Sequence, residues 1–257
     1  MNNLPALLKK LRAEQGLTQD QVGEAVRISG SSIAAFETGR QIPQPDTSVR
    51  LDEVLNSGDQ VQRASVDARE AARPGWFRAW AGAEERAATL RYHETSLVPG
   101  LLQTEEYARS VLDNGLRGLG EVEEKLAVRM ERQAAILDRE NPPTCAFTMD
   151  AAALRCGPPD VAKQQLEHLV DIGKRSNIFI HVIPESAGVH PGRSGSFALA
   201  MLDNGAVAGC LEDLLEGRTV TDAQTLIELD RLWHAISAVA LPCDQSRDLI
   251  LKMVNEL

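Results

Sequence analysis

Residues 16–43 read GLTQDQVGEAVRISGSSIAAFETGRQIP, and the punctuation of this stretch decides the N-terminal fold. Thr18 followed by Gln21 fits a capping box, in which two side chains satisfy backbone donors left free at a helix start. Val22, Ala25 and Val26 give the helix that follows an apolar stripe. Arg27-Ile28-Ser29 then makes a short turn in which Ser29 caps the next helix. Ile33 and Phe36 anchor that helix, Gly39 closes it, and Pro43 and Pro45 forbid its continuation. Working outward, Leu4, Leu7, Leu8 and Leu11 recur at the spacing that puts apolar side chains on one helical face, which predicts a first helix over residues 4–14 with Gly16 as its stop. Downstream, Asp46 starts a fourth helix carrying Val49, Leu51, Val54 and Leu55. Four short helices with a three-residue turn between the second and third make an all-α helix-turn-helix bundle over residues 1–56.

At Gly16-Leu17-Thr18-Gln19, Ile28-Ser29, Ser32-Ile33 and Phe36-Glu37-Thr38-Gly39-Arg40 the chain resembles the repressor-type XRE (Cro/CI) helix-turn-helix family. The resemblance implies binding of double-stranded DNA. The third helix would enter the major groove, with Ser29, Gly30, Ser31, Ser32 and Ala35 at groove-facing positions and Gln19 and Arg40 near backbone phosphates. These groove-facing side chains are small, so bidentate contacts to guanine or adenine are not available to them. Hydroxyl contacts, water bridges, DNA shape and half-site spacing in a homodimer are then the sources of specificity. Two positions depart from the family pattern: Gly23, where alanine is common, and Arg27, where glycine is common. A left-handed Arg27 would cost about 1 kcal/mol of backbone strain.

Charge limits how such a domain binds. The whole chain carries a formal net charge of -10, which argues against non-specific coating of nucleic acid. Within residues 1–56, six Lys and Arg stand against seven Asp and Glu. A near-neutral reading head has modest affinity per protomer, which favours dimers. A hydrophobic content of 43% with 25% charged residues is enough for a packed core, and 257 residues make two domains the natural division. No apolar run of 18 residues occurs and the start breaks to Lys9, Lys10 and Arg12, so a cytoplasmic protein without a membrane span is expected. Cys145, Cys156, Cys210 and Cys243 are widely spaced without a CxxC pair, the pattern of reduced thiols rather than a zinc site or disulfide framework.

Beyond the bundle, residues 57–75 are polar and rich in Ala, Arg, Asp and Glu, and are expected to form a helical connector. Residues 76–257 then form the second domain. Trp76, Phe77 and Trp80 are expected to nucleate its core. Ser96 to Tyr107 reads as a strand end, a Pro99-Gly100 turn and a helix capped by Thr104 that runs to about Leu112. Helices are expected over 121–139, 161–174, 222–238 and 244–256, and strands over 144–149 and 177–183. Residues 196–202 and 206–211 flank Asp203-Asn204-Gly205, a strong hairpin signal. The fold class is therefore multi-domain: the helical bundle followed by an α+β domain with a small, partly antiparallel sheet.

The segment VPGLLQTEEYA from Val98 to Ala108 is similar to the signature of WhiJ-like, antitoxin-like regulators of actinobacteria. Arg132-Gln133, Asp150 to Arg155, Gly195-Ser196-Phe197 and Leu232 to Ser237 follow in that family's order. The resemblance implies a transcriptional regulator whose C-terminal domain binds a small protein encoded nearby. A domain sensing a small molecule is the rival reading, and the leucines of the Val98 segment, with Leu232 and Trp233, equally suit a core. An enzyme is not expected. The Gly192-Arg193-Ser194-Gly195-Ser196 loop suggests a self-cleaving serine peptidase, but it forms no Gly-x-Ser-x-Gly elbow and pairs with no recognisable base. A metal site from His181, His190 and Cys210 has nothing to set its geometry, and no cofactor is expected.

Overall fold

The computed structural model describes residues 3–72, 75–114, 122–212 and 217–257, which divide into two compact units, Met1–Gly75 and Trp76–Leu257. The first unit contains α1 (Leu4–Glu14), α2 (Gln19–Val26), α3 (Gly30–Glu37), α4 (Pro45–Leu55) and α5 (Gln60–Ala72). Most of the expected apolar positions are buried: Leu4, Leu8, Leu11, Val22, Val26, Ile33, Phe36, Leu51 and Leu55 share one core, whereas Ala25 and Val49, expected on the same faces, are exposed. Helix α4 begins one residue before Asp46, with Pro45 at a position where its missing N–H costs nothing.

The bundle does not close at residue 56. The segment expected as a connector is helical, but Val61 and Ala64 are buried in the N-terminal core, so α5 is its fifth helix. Asp52 is the reason this works: its buried carboxylate accepts hydrogen bonds from the backbone N–H of Val61 at 2.8 Å and of Gln62 at 3.0 Å, and from the Ser57 hydroxyl. Free donors at the start of α5 are thereby satisfied. Ser48 and Ser65 meet at 3.1 Å, and Arg69 donates to the Pro43 carbonyl.

The second unit is an α+β fold around a six-stranded mixed sheet. Its elements are α6 (Gly75–Glu85), β1 (Ala87–Glu94), α7 (Glu105–Asp113), α8 (Val122–Leu137), β2 (Thr144–Asp150), α9 (Pro159–Ile172), β3 (Ile178–Ile183), β4 (Phe197–Leu202), β5 (Val207–Glu212), β6 (Gly217–Val220), α10 (Ala223–Ser237) and α11 (Cys243–Glu256). Strand order is β3-β2-β1-β4-β5-β6, parallel from β3 to β1 and antiparallel from β1 to β6. The expected hairpin joins β4 to β5, with Gly205 at φ 80° in its turn. Alternation along the strands divides the sheet into two faces. Leu90, Tyr92, Phe147, Met149, Ile180, Ala198 and Cys210 pack with Leu166 and Leu169 of α9 and Ile250 and Met253 of α11. Phe197, Leu199 and Val220 pack on the opposite face with Leu229, Trp233 and Ile236 of α10.

The Val98 segment is built into this core. Val98, Leu101, Leu102 and Tyr107 are buried, and Thr104 caps α7 by accepting from the Tyr107 N–H. Gln165 of α9 ties the corner by donating to the Leu102 carbonyl at 2.7 Å and accepting from the Thr104 N–H at 2.7 Å. Its leucines fill the core, as do Trp80 and Trp233.

Candidate nucleic-acid interface

Local chemistry sets the angle between α2 and α3. Both halves of the Thr18–Gln21 capping box are present at the start of α2. That helix ends on Arg27, whose φ of 62° and ψ of 43° are left-handed, and the Ile28 N–H returns to the Gly23 carbonyl at 2.8 Å. A Cβ on Gly23 would lie 2.8 Å from the Ile28 carbonyl oxygen and 2.9 Å from the Gly30 nitrogen. Glycine at 23 makes room for a turn drawn close against α2, and the left-handed position of that turn falls on Arg27.

The turn ends at Ser29, whose hydroxyl accepts from the Ser32 N–H and lies 2.8 Å from both the Ser31 and Ser32 hydroxyls. Ser29 and Ser31 are exposed, while Ser32 and Ala35 are half-buried along the same helix. Gly30 plays a different part. A Cβ there would sit 1.9 Å from Asp20 Oδ1, so Gly30 is the space that lets α3 pass beneath the Asp20 side chain. Arg40 follows Gly39, which has φ 72°, and is exposed with its Nε donating to Thr38 Oγ1 at 3.1 Å. Of the Lys and Arg among described residues 3–56, Lys9, Arg27 and Arg40 make no ion pair, whereas Lys10, Arg12 and Arg50 are paired with Glu14, Glu37 and Asp46.

Gln19 sits at the first position of α2, but its amide donates to Glu37 Oε2 at 2.8 Å. Glu37 also receives Arg12 Nε at 2.5 Å and Nη2 at 3.0 Å, and Arg12 Nη1 reaches the Leu17 carbonyl. Burial raises the Glu37 pKa, but the hydrogen bonds from Arg12 and Gln19 outweigh it and hold the carboxyl below its ordinary value. This three-residue clamp ties α1, α2 and α3 together. Sequence reading missed it because nothing in the spacing of Arg12, Gln19 and Glu37 marks them as neighbours.

The residues weighed for a metal site, His181, His190 and Cys210, are not brought together. His190 lies 2.9 Å from Asp150, His181 Nδ1 donates to the Leu241 carbonyl at 2.9 Å with Nε2 3.5 Å from Cys243 Sγ, and Cys210 is buried on the other sheet face. Among the described residues no group of three or more His, Cys, Asp and Glu is placed to hold a metal ion, and no helix is long and apolar enough to cross a membrane.

Comparison with known families agrees with the division into two units. Residues 4–66 match a helix-turn-helix domain, which reaches into the first half of α5 and identifies the N-terminal unit as the DNA-binding part of a regulator. No curated protein and no solved structure matches the chain. Residues 77–252, more than half of the chain and nearly all of its second unit, match a domain of unknown function (DUF5753), and the chain therefore belongs to that family.

Proposed function

We propose that this protein is a cytoplasmic, sequence-specific regulator of transcription of the XRE type, acting as a homodimer and controlled by a small protein partner held by its C-terminal unit. The observation that carries the DNA-binding part is the clamped α2–turn–α3 unit, with the Ser29 and Ser31 hydroxyls and the unpaired Arg27 and Arg40 exposed around it. Backbone N–H groups at the starts of α2 and α3 suit phosphate contacts. Ser29, Ser31, Ser32 and Ala35 meet the groove, and Gly30 lets the helix pack. Gln19, held by Glu37, orients the start of α2 and contacts phosphate mainly through its backbone.

The partner reading rests on the resemblance of the Val98 segment and on charge. Within residues 76–257, 18 Lys and Arg face 27 Asp and Glu, so the C-terminal unit repels nucleic acid and steers complementary protein surfaces. Phe179, Met201 and Ile227 are large apolar side chains exposed on it. Calorimetry of the full chain against the small protein encoded beside it tests this reading: a saturable 1:1 complex is expected, and no heat of binding overturns it. Sedimentation as a monomer at micromolar concentration, together with binding to a single half-site, overturns the homodimer.

A further inference from the structure

The start of α3 carries little of its own that can tell one base pair from another. In a helix-turn-helix the second helix of the pair lies in the major groove with its N-terminal residues on the base edges. Here those residues are Gly30, Ser31 and Ser32, preceded by the cap Ser29. The serine hydroxyls hold one another: Ser29 Oγ lies 2.8 Å from both the Ser31 and the Ser32 Oγ, and accepts from the Ser32 N–H. A hydroxyl both donates and accepts, so it separates the four bases poorly.

The place of a side chain at position 30 is nonetheless filled. A Cβ on Gly30 would lie 1.9 Å from Asp20 Oδ1, 2.9 Å from Asp20 Cγ and 3.0 Å from Asp20 Cα. The Asp20 carboxylate therefore occupies the space that a side chain on the first residue of α3 would take. Asp20 is the second residue of α2, in its first turn, and is exposed. Among the described residues its carboxylate has no hydrogen-bond or ion-pair partner. Its neighbours in sequence are committed elsewhere, the Gln19 amide to Glu37 and the Gln21 side chain to the Thr18 N–H. The positive end of α3 beside it makes an unpaired carboxylate tolerable there.

We propose that Asp20, reaching across Gly30, is a base-reading residue of this helix-turn-helix and selects cytosine at one position of the bound sequence. The assignment rests on the reading of α3 as the helix that enters the groove. An ionised carboxylate only accepts hydrogen bonds. In the major groove cytosine N4 and adenine N6 donate, whereas guanine and thymine present the acceptors O6, N7 and O4, which repel it. Adenine carries its N7 acceptor beside the amino group, so cytosine is the better match. The same negative charge repels the phosphates, so Asp20 lowers affinity for DNA at large while favouring duplexes that offer it a cytosine amino group. Gly30 is part of the device, because a Cβ there would displace the carboxylate.

The test is selection of bound sites from one random duplex pool by the full-length wild type, Asp20→Ala and Asp20→Asn, with matching circular dichroism of the three proteins as the control for folding. The wild type should select a motif in which one cytosine position becomes degenerate for Asp20→Ala while the other positions are unchanged. In direct competition the wild type should prefer that site about tenfold over the same duplex with thymine at the position, and Asp20→Ala should bind the two equally. Random duplex should be bound more tightly by Asp20→Ala than by the wild type. Asp20→Asn, which donates as well as accepts, should move the preference to adenine. An Asp20→Ala motif identical to that of the wild type, or a change in affinity that is the same for every sequence, overturns the proposal and leaves the DNA-binding reading standing. A wild-type pool that stays random overturns that reading and the proposal with it.

Discussion

Each unit of this protein contains a buried arginine–glutamate pair, and the two pairs differ in what surrounds them. In the N-terminal unit Glu37 is held by Arg12 and Gln19, and no further carboxyl crowds the clamp. In the C-terminal unit Arg132 and Glu84 are as tightly joined, but Arg129 and Glu212 add charges that act on the pair, and Glu94 stands close by with Ser196 as its hydrogen-bond partner. The first arrangement is closed, and its chemistry is spent on holding three helices at the angle an interface needs. The second is a crowded network in which several charged groups share one covered end of the sheet.

Substitutions can break or sharpen this contrast. All three tryptophans, at 76, 80 and 233, lie in the second unit, so their fluorescence follows that unit alone while helical circular dichroism reports both. The largest effect is expected for Arg132→Ala, which leaves Glu84 charged and fully buried; denaturant unfolding followed by fluorescence should show a loss of about 4 kcal/mol. Loss below about 1 kcal/mol would mean that the buried pair is not structural.

Next comes Glu94→Gln, whose effect depends on pH. Because the folded-state pKa of Glu94 is raised above its unfolded value, its contribution to stability is fully present below about pH 4.5 and is lost as pH rises through about 7. The glutamine variant should match the wild type at pH 4.5 and exceed it by up to about 3 kcal/mol at pH 8. A pH-independent difference would contradict the raised pKa of Glu94. Arg12→Ala opens the other clamp at a site partly reached by water, and should cost about 2 kcal/mol of N-terminal stability without moving the tryptophan transition. The smallest change is Thr18→Ala, at about 1 kcal/mol, from loss of the cap on α2.

The units also differ in how much of them the sequence displays. In the first, helices, caps and stops are local, so α1 to α4, the Thr18–Gln21 box and the Ser29 cap follow from short-range pattern. What escaped was long-range: α5 joins the core through Val61, Ala64 and the Asp52 cap, which no local rule distinguishes from a connector. In the second unit the hairpin at Asn204-Gly205 was legible, but the central strand β1 was not. Its Thr89, Arg91 and His93 are polar residues on a covered sheet face, made tolerable by partners such as Asp230 for Arg91 and Thr148 for His93. The four-residue β6 is too short to carry a pattern. The proposed DNA-facing residues could be read from a motif, whereas the hydrogen bond between Glu94 and Ser196 depends on the register of β1 and β4, which the sequence does not display.

The central claim is that the Ser29–Arg40 region reads DNA. Selecting bound sites from a random duplex pool with the full chain, then measuring the selected site over a salt series for wild type and Arg40→Ala, tests it most directly. Enrichment of a single two-fold repeated motif is expected, with weaker binding by Arg40→Ala and a salt slope smaller by about one. A pool that stays random after repeated rounds, or an Arg40→Ala salt series superimposable on the wild type, would contradict it.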